Sequence, residues 1–298
     1  MQRIHHSVCP LCKSEDIGLY LHTKDYSISQ EAFDLWRCKN CTFLFTQDAP
    51  TADTIGAYYQ SEDYISHSDT KEGLVNRLYH LARDYMLGRK FRLLKRFVPT
   101  GQQVLDYGAG TGYFVDFLQK KGYEVEGVEI DEQARNYGAK KFGVKMHPPE
   151  FTRESAVENS YAAITMWHVL EHLYEPLEDL HRFNALLSSR AYLIIAVPNH
   201  ISADATYYQS HWAAYDVPRH LWHFNPQTME QMTSEAGFEL LETHHMPMDP
   251  FYVSIMSNRY KTGGGLINGA IQGAKSFVQS SFNARKGSSV IYVLRKMD

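Results

Sequence analysis

The sequence predicts an α/β fold with a small cysteine-knuckle module ahead of it. A strand, a glycine-rich turn and a helix follow one another at residues 104–118, VLDYGAGTGYFVDFL. A second apolar strand, Val125, Gly127 and Val128, ends in Glu129 about 20 residues past the first glycine. The four cysteines of the chain fall into two pairs, Cys9-Pro-Leu-Cys12 and Cys38-Lys-Asn-Cys41.

The amino-terminal module, residues 1–50, is too small to bury a core of its own. Two CxxC knuckles about 25 residues apart can wrap one tetrahedral metal ion, and four thiolates favour Zn2+. Disulfides are the competing reading. MQRIHHSVCP has no apolar leader and no run is long and apolar enough to span a bilayer, so the chain is expected in the cytoplasm, where zinc is preferred. With Cys9, Cys12, Cys38 and Cys41 all serving as ligands, no coordination position stays open and the metal is structural.

Residues 51–99 read as a helical cap. The segment at 48–73 is aromatic yet polar and predicts a short helix around residues 54–59, then a loop. Leu74, Leu78, Leu81 and Tyr85, then Leu87, Phe91, Leu94 and Val98, recur at helical spacing and predict a long helix or helix pair. Arg83, Arg89, Lys90, Arg92, Lys95 and Arg96 line its other side, either as a solvated face or as a docking patch for an anionic substrate. The formal charge is −4 and the pI about 6.4, so nothing global points to a nucleic-acid or membrane partner.

Gly108, Gly110 and Gly112 allow a sharp turn and close approach of a ligand, and the helix after them favours an anionic group. The dinucleotide pattern GxGxxG is absent, because Tyr113 stands where its third glycine belongs. Asp106, just before the glycines, would repel a pyrophosphate but suits a ligand bearing an amine and a carboxylate, such as the methionine part of S-adenosylmethionine. Glu129 can accept both hydroxyls of a ribose. A nicotinamide site and a ligand-free turn are the alternatives.

This segment resembles motif I and the following acidic strand of class I S-adenosylmethionine-dependent methyltransferases, with a likeness running from about residue 100 to the C-terminus. The resemblance implies a Rossmann-like, seven-stranded, mostly parallel sheet with helices on both faces, in a domain at 100–298. It also implies that Asp106, Gly108, Gly110 and Gly112 hold the methionine end of the donor and Glu129 its ribose. The strand at 162–167 leads into WHVLEHLYEP, similar to the family's motif around the adenine, so Met166 and Trp167 would flank that ring while Glu171 and His172 open the next helix. Two places depart from the pattern: Tyr161-Ala162 stand where an acid is usual, and LSSRA at 187–191 lacks the usual turn glycine.

Past the strand at 192–197, Pro198 and Asn199 end at the sheet edge where ligands bind in open α/β folds. The following stretch is crowded with His200, His211, Trp212, Tyr215, Arg219, His220, Trp222 and His223, which reads as a substrate pocket. PRHLWHF at 218–224 resembles the loop that carries a general-base histidine in sugar C-methyltransferases. By that match His220 takes the base position, with His223 a second catalytic candidate and Arg219 where those enzymes often have Glu. Structural hydrogen bonding competes for each imidazole, including His168 and His172, and packing for Trp212 and Trp222. Arg219 can pair a substrate anion or Asp216.

Strands at 239–243 and 290–294 would form a C-terminal antiparallel hairpin, yet about 45 residues separate them, far more than a hairpin needs. Within the insertion at 246–288, Leu266, Ile267, Ala270, Ile271, Ala274, Phe277, Val278 and Phe282 recur at helical spacing. This segment packs on the core, forms a lid over the acceptor, or lies on a membrane surface.

With CTFLFTQDAPTADTIGAYYQSEDYISHSD included, the chain resembles a bacterial group of methyltransferases with an N-terminal zinc ribbon, whose acceptors are often sugars, polysaccharide precursors or other metabolites. The resulting expectation is methyl transfer to O or C of a small-molecule acceptor. An RNA methyltransferase that grips nucleic acid with the ribbon and a non-catalytic donor-binding module are the alternatives. The acidic pI and the sparse positive charge of the ribbon weigh against RNA. The residues after the strand, MWHVLEH, carry no Asn-Pro-Pro-Tyr-type motif, which disfavours N-methylation.

Overall fold

The computed structural model describes residues 2–59 and 74–298, with side chains from residue 82 in the second segment. The loop expected at 60–73, and the apolar contacts expected of Leu74, Leu78 and Leu81, lie outside the described residues.

Near the amino terminus, β1 (Arg3–Ile4) precedes an antiparallel meander of β2 (Ile17–Lys24), β3 (Ala32–Cys38) and β4 (Leu44–Gln47), and β5 (Ala49–Pro50) returns to pair with β1. Alternation along β3 buries Phe33 and Leu35 on one face, as a half-covered strand requires. A 3-10 turn at Ile55–Tyr58 matches the short helix expected there.

The main sheet contains β6 (Gln103–Tyr107), β7 (Glu124–Val128), β8 (Lys145–His147), β9 (Tyr161–Trp167), β10 (Leu187–Pro198), β12 (Phe238–His245) and β13 (Ser289–Lys296). Their order is β12-β13-β10-β9-β6-β7-β8, and β13 alone runs antiparallel to its neighbours. This is the expected seven-stranded, mostly parallel α/β sheet. The central strands are apolar on both sides because both are covered: Leu193 to Val197 of β10 are fully buried. One face packs Leu87, Leu94, Val98, Phe114 and Leu118; the other packs Leu180, Phe183, Met229 and Met232. Tyr85, expected on the apolar side of the helix Leu74–Phe97, is exposed instead.

The segment at 187–191 is not the turn the sequence suggested. β10 already begins at Leu187 with an irregular register before Tyr192, and Arg190 adopts a φ of 59° where glycine would be usual. The short strand β11 (Trp222–His223) does not join this sheet. It pairs antiparallel with β4, so the histidine loop completes the sheet of the amino-terminal module.

The insertion forms two helices, Asp249–Thr262 and Leu266–Phe282, joined through three glycines. The apolar spacing predicted the second helix but not its orientation. Its buried positions are Gly269, Gly273, Ser276 and Ser280. Leu266, Ile267, Ile271, Val278 and Phe282 are exposed, Phe282 by 90%. Of the three readings open for this segment, packing of the stripe on the core does not hold for these five residues. A Cβ on Gly269 would lie 2.6 Å from Ile255 Cα, and one on Gly273 2.7 Å from Phe251 Cα, so only glycine permits this approach. Among the described residues no helix is long and apolar enough to cross a membrane.

Candidate functional site

Beyond β6 the chain turns through Gly108, Gly110 and Gly112 with φ of 77°, 53° and 80°, a left-handed path that other residues resist. Gly108 N and Ala109 N both donate to the Val128 carbonyl, at 2.8 and 2.9 Å. The turn thereby brings Gly110 N within 2.8 Å of Glu129 Oε2, while Asp131 N donates to Glu129 Oε1 at 3.0 Å. The acid predicted from spacing thus lies against the glycine loop, each oxygen already holding one backbone N–H. On the far side, a Cβ at Gly108 would collide with the side chain of Val169, so the loop is seated on the turn that follows β9.

Asp106 is buried and accepts the Thr165 hydroxyl proton at 2.5 Å. Burial pushes its pKa up to about 6, against the pull of Thr165 and the nearby Lys90 ammonium. Met166, expected to flank the adenine with Trp167, is fully enclosed in the core with no exposed surface to offer a ligand, whereas Trp167 is half-buried. Phe114 meets the Trp167 ring edge-on at 5.8 Å and Lys90 Nζ lies 4.4 Å from a Trp167 ring centre. The indole Nε1–H is buried without a partner. Burial also lowers the Lys90 pKa to about 8, opposed by Asp106 and Asp249. A cleft of about 340 Å³ opens beside Tyr107, walled by Pro149, Glu150, Arg153, Tyr174 and Asp179. Sequence reading missed these residues; the signal for them was the Pro148-Pro149-Glu150-Phe151 turn directly after β8.

The four cysteines are free thiols that converge, with every Sγ within 4.8 Å of the others. Cys9 Sγ and Cys41 Sγ are 3.6 Å apart, as are those of Cys12 and Cys38. Four sulfurs around zinc at a bond length of about 2.3 Å would stand about 3.8 Å apart, so the set fits this ion. The two knuckles repeat one conformation. Lys13 N donates to Cys9 O and Thr42 N to Cys38 O, and Lys13 and Thr42 have φ of 62° and 66°.

The histidine loop is held between the two sheets. Arg219, buried, is fully engaged: Nε and Nη2 grip both oxygens of Asp216 at 2.9 and 2.6 Å, Nη2 also reaches Asp25 Oδ1 at 2.9 Å, and Nη1 donates to Tyr58 O at 2.8 Å. Of the two roles open to Arg219, pairing with Asp216 is the one observed. His223, a catalytic candidate from sequence, is placed elsewhere. Its Nε2 lies 3.0 Å from Thr46 Oγ1, whose own proton goes to His220 O, so His223 must donate there. Burial holds its pKa well below the ordinary value. His223 thus ties the loop to β4 as a neutral ring, the structural hydrogen bonding that competes with a catalytic role for this imidazole. Trp212 and Trp222 are buried packing residues whose indole N–H groups reach Asp204 and the Leu173 carbonyl.

His220 is nearly buried, and its Nδ1 lies 2.9 Å from the Ala214 carbonyl. A carbonyl only accepts, so Nδ1 carries a proton, and in the neutral ring the lone pair is on Nε2. His172 stands edge-on to it at 4.6 Å, with Nδ1 on Arg219 O at 3.0 Å. Burial and the neighbouring His220 bring the His172 pKa down to about 4. His168 differs. Burial opposes its charge, but Asp249 at 2.9 Å and Glu171 at 3.3 Å overcome that and raise its pKa to about 10.

The family described as methyltransferase domain matches residues 79–243 of this chain. Comparison with curated proteins gives no match. Among solved structures, a Haloferax volcanii protein described as a methyltransferase, in complex with the Trm112 methyltransferase activator, is similar with a TM-score of 0.54 at 14% identity, over 73% of this chain and 94% of that one. A Galdieria sulphuraria protein described as a sarcosine dimethylglycine methyltransferase gives 0.52 at 17% identity, over 74% and 88%. A SAM dependent methyltransferase from Archaeoglobus fulgidus gives 0.50 at 19%, over 72% and 94%. At these identities the likeness speaks for the fold.

Proposed function

Because the chain belongs to the methyltransferase-domain family and is an S-adenosylmethionine-dependent methyltransferase, we propose that it methylates O or C of a small-molecule acceptor bound at the loop 199–224. The observation that carries this reading is His220, whose Nδ1–H is committed to Ala214 O, so that in the neutral ring Nε2 is the nitrogen able to accept a proton. In this proposal Nε2 takes the acceptor proton as the acceptor attacks the sulfonium methyl in line, and the sulfonium leaves as a neutral thioether. Asp106 and the loop Gly108, Gly110 and Gly112 hold the methionine end of the donor and Glu129 the ribose. Trp167 lies against the adenine, with Met166 packed behind it in the core.

Within the same proposal the chain divides into a zinc-ribbon module at 1–50, a helical cap at 51–99 and the donor-binding domain at 100–298. Zn2+ on Cys9, Cys12, Cys38 and Cys41 is structural, as in the bacterial group with an N-terminal ribbon. The insertion at 246–288 covers the acceptor, and the protein acts in the cytoplasm. His168, on the turn after β9, reaches Asp249 at the start of that insertion, which supports a lid tied to the donor side.

Labelled donor incubated with the protein and fractionated extracts tests the assignment. Label is expected in small-molecule fractions; label in RNA alone would overturn it. Replacing His220 with Asn should leave donor binding intact and slow transfer roughly 100-fold. An unchanged rate would remove the base role.

A further inference from the structure

Besides the four thiolates, one group of metal-ligating side chains converges among the described residues. Glu171, His172 and His220 each offer a ligand atom within 4.8 Å of the others. They come from two separate segments, the turn after β9 and the loop 218–224, clipped together by the Leu221 N–H on the Glu171 carbonyl at 2.9 Å.

The way each side chain is held matters more than its proximity. Both imidazoles give Nδ1–H to a backbone carbonyl, His172 to Arg219 O at 3.0 Å and His220 to Ala214 O at 2.9 Å. That is the outer support metal-bound histidines almost always have, and it leaves the Nε2 lone pairs free. The acid nearest His220 Nε2, Asp216 Oδ2, is 4.0 Å away, beyond a hydrogen bond. Glu171 is wholly buried. Its Oε1 faces His168 Nδ1 at 3.3 Å, while its Oε2 has no partner at all. A buried carboxylate oxygen without a donor is rare and asks for a cation or another donor.

We propose that Glu171, His172 and His220 form a three-ligand site for a divalent first-row metal ion, open to an oxygen of the acceptor. Two imidazoles and one carboxylate suit Zn2+, Fe2+, Co2+ or Mn2+. Three protein ligands leave at least one position open, the mark of a reactive site, whereas the four cysteines close theirs. The site rests on the acceptor and the methyl transfer of the reading above but replaces its base: with the ion bound, His220 Nε2 is a ligand and no longer takes the proton itself. The cation draws an acceptor hydroxyl towards ionisation. The hydroxyl proton passes to water, the oxygen takes the methyl, and the sulfonium becomes a thioether. Acceptors with paired hydroxyl or keto oxygens are the class that such an ion would select.

Cobalt titration of the purified full-length chain, after brief dialysis against a chelator, tests the site. One equivalent should bind with weak visible bands and without the near-ultraviolet thiolate charge transfer that would mark the cysteines. Glu171→Gln, His172→Gln and His220→Gln should each weaken that equivalent at least ~100-fold while donor binding by calorimetry stays at the wild-type value. Absence of the band in the wild type, or Gln variants that titrate like it, would overturn the site. The wild-type titration decides even where a variant does not fold. No acceptor enters the titration, so its failure leaves the methyl-transfer reading standing. Bound cobalt with label only in RNA would do the reverse.

Discussion

Gly108 and Gly110 share a left-handed backbone but differ in what a methyl group would meet. A Cβ at Gly108 runs into Val169, while one at Gly110 finds open space. Gly108→Ala should therefore lower folding stability by about 1–3 kcal/mol through strain and overlap. Gly110→Ala should cost about 1 kcal/mol of backbone strain and chiefly weaken donor binding. Urea midpoints and donor calorimetry separate the two; equal donor affinity in Gly110→Ala and wild type would mean the loop does not touch the ligand. A second residue-scale prediction concerns His168, whose folded pKa is raised from 6.5 to about 10, chiefly by Asp249 once burial is overcome. A raised pKa means that protonation stabilises the fold. That contribution is full below about pH 6.5 and disappears as pH rises through 10. Its size, discounted for partial exposure, is about 1 kcal/mol. Melting temperatures of the wild type and Asp249→Asn should therefore converge between pH 7 and 10.5; parallel curves would show that the pair contributes nothing. Spacing exposed the glycines and Glu129, because their geometry is local. It could not expose the His168 pair, because Asp249 lies 81 positions away in sequence and the insertion alone brings it back.

At the scale of elements, periodicity specified the helix Leu266–Phe282 but gave the wrong face. Apolar residues at helical spacing normally mark the buried side. Here Gly269, Gly273, Ser276 and Ser280 make a smooth opposite side that admits the backbone of the first inserted helix, and close contact there outweighs burial of the larger side chains. Substitutions should follow the observed orientation. Gly269→Leu is expected to lower stability by about 1–3 kcal/mol, because the helices must separate. Ile267→Ser, 77% exposed, should change it by less than about 0.5 kcal/mol. Chemical denaturation of both proteins checks this, and the opposite ranking would mean that the helix is turned the other way in solution. The main-sheet strands were legible for the converse reason. Runs such as Leu193 to Val197 are buried on both sides, so no choice of face arises.

On the scale of the whole molecule, the sequence reads as a small module followed by a larger sheet domain, and it says nothing of how the two are joined. Pairing between β11 and β4 is a long-range contact that no local pattern announces, since Trp222-His223 lie in what looks like a substrate loop. Its consequence is that the histidine region takes its shape from the amino-terminal module. Arg219 is the fastener, with both Asp25 and Asp216 on its guanidinium and the Tyr58 carbonyl beside them. Burial would raise the Asp25 pKa, but the Arg219 hydrogen bond, with Ser29, brings it down to about 2. This part of the stability is present above the ordinary carboxylate range and is lost as pH falls towards 2. Removing the cation strands two carboxylates in the interface, so Arg219→Met should destabilise the protein by about 3–5 kcal/mol. Arg219→Lys restores a charge but not the fork that grips both oxygens of Asp216, so it should recover only part of the loss. The informative readout is coupling. With the cysteine cluster loaded with zinc, Arg219→Met should release the metal to a chelator faster and, in the same protein, lower the melting temperature and change the fluorescence of Trp222. An independent module would keep its metal at the wild-type rate while the main sheet alone weakened, and that outcome would separate the two parts again.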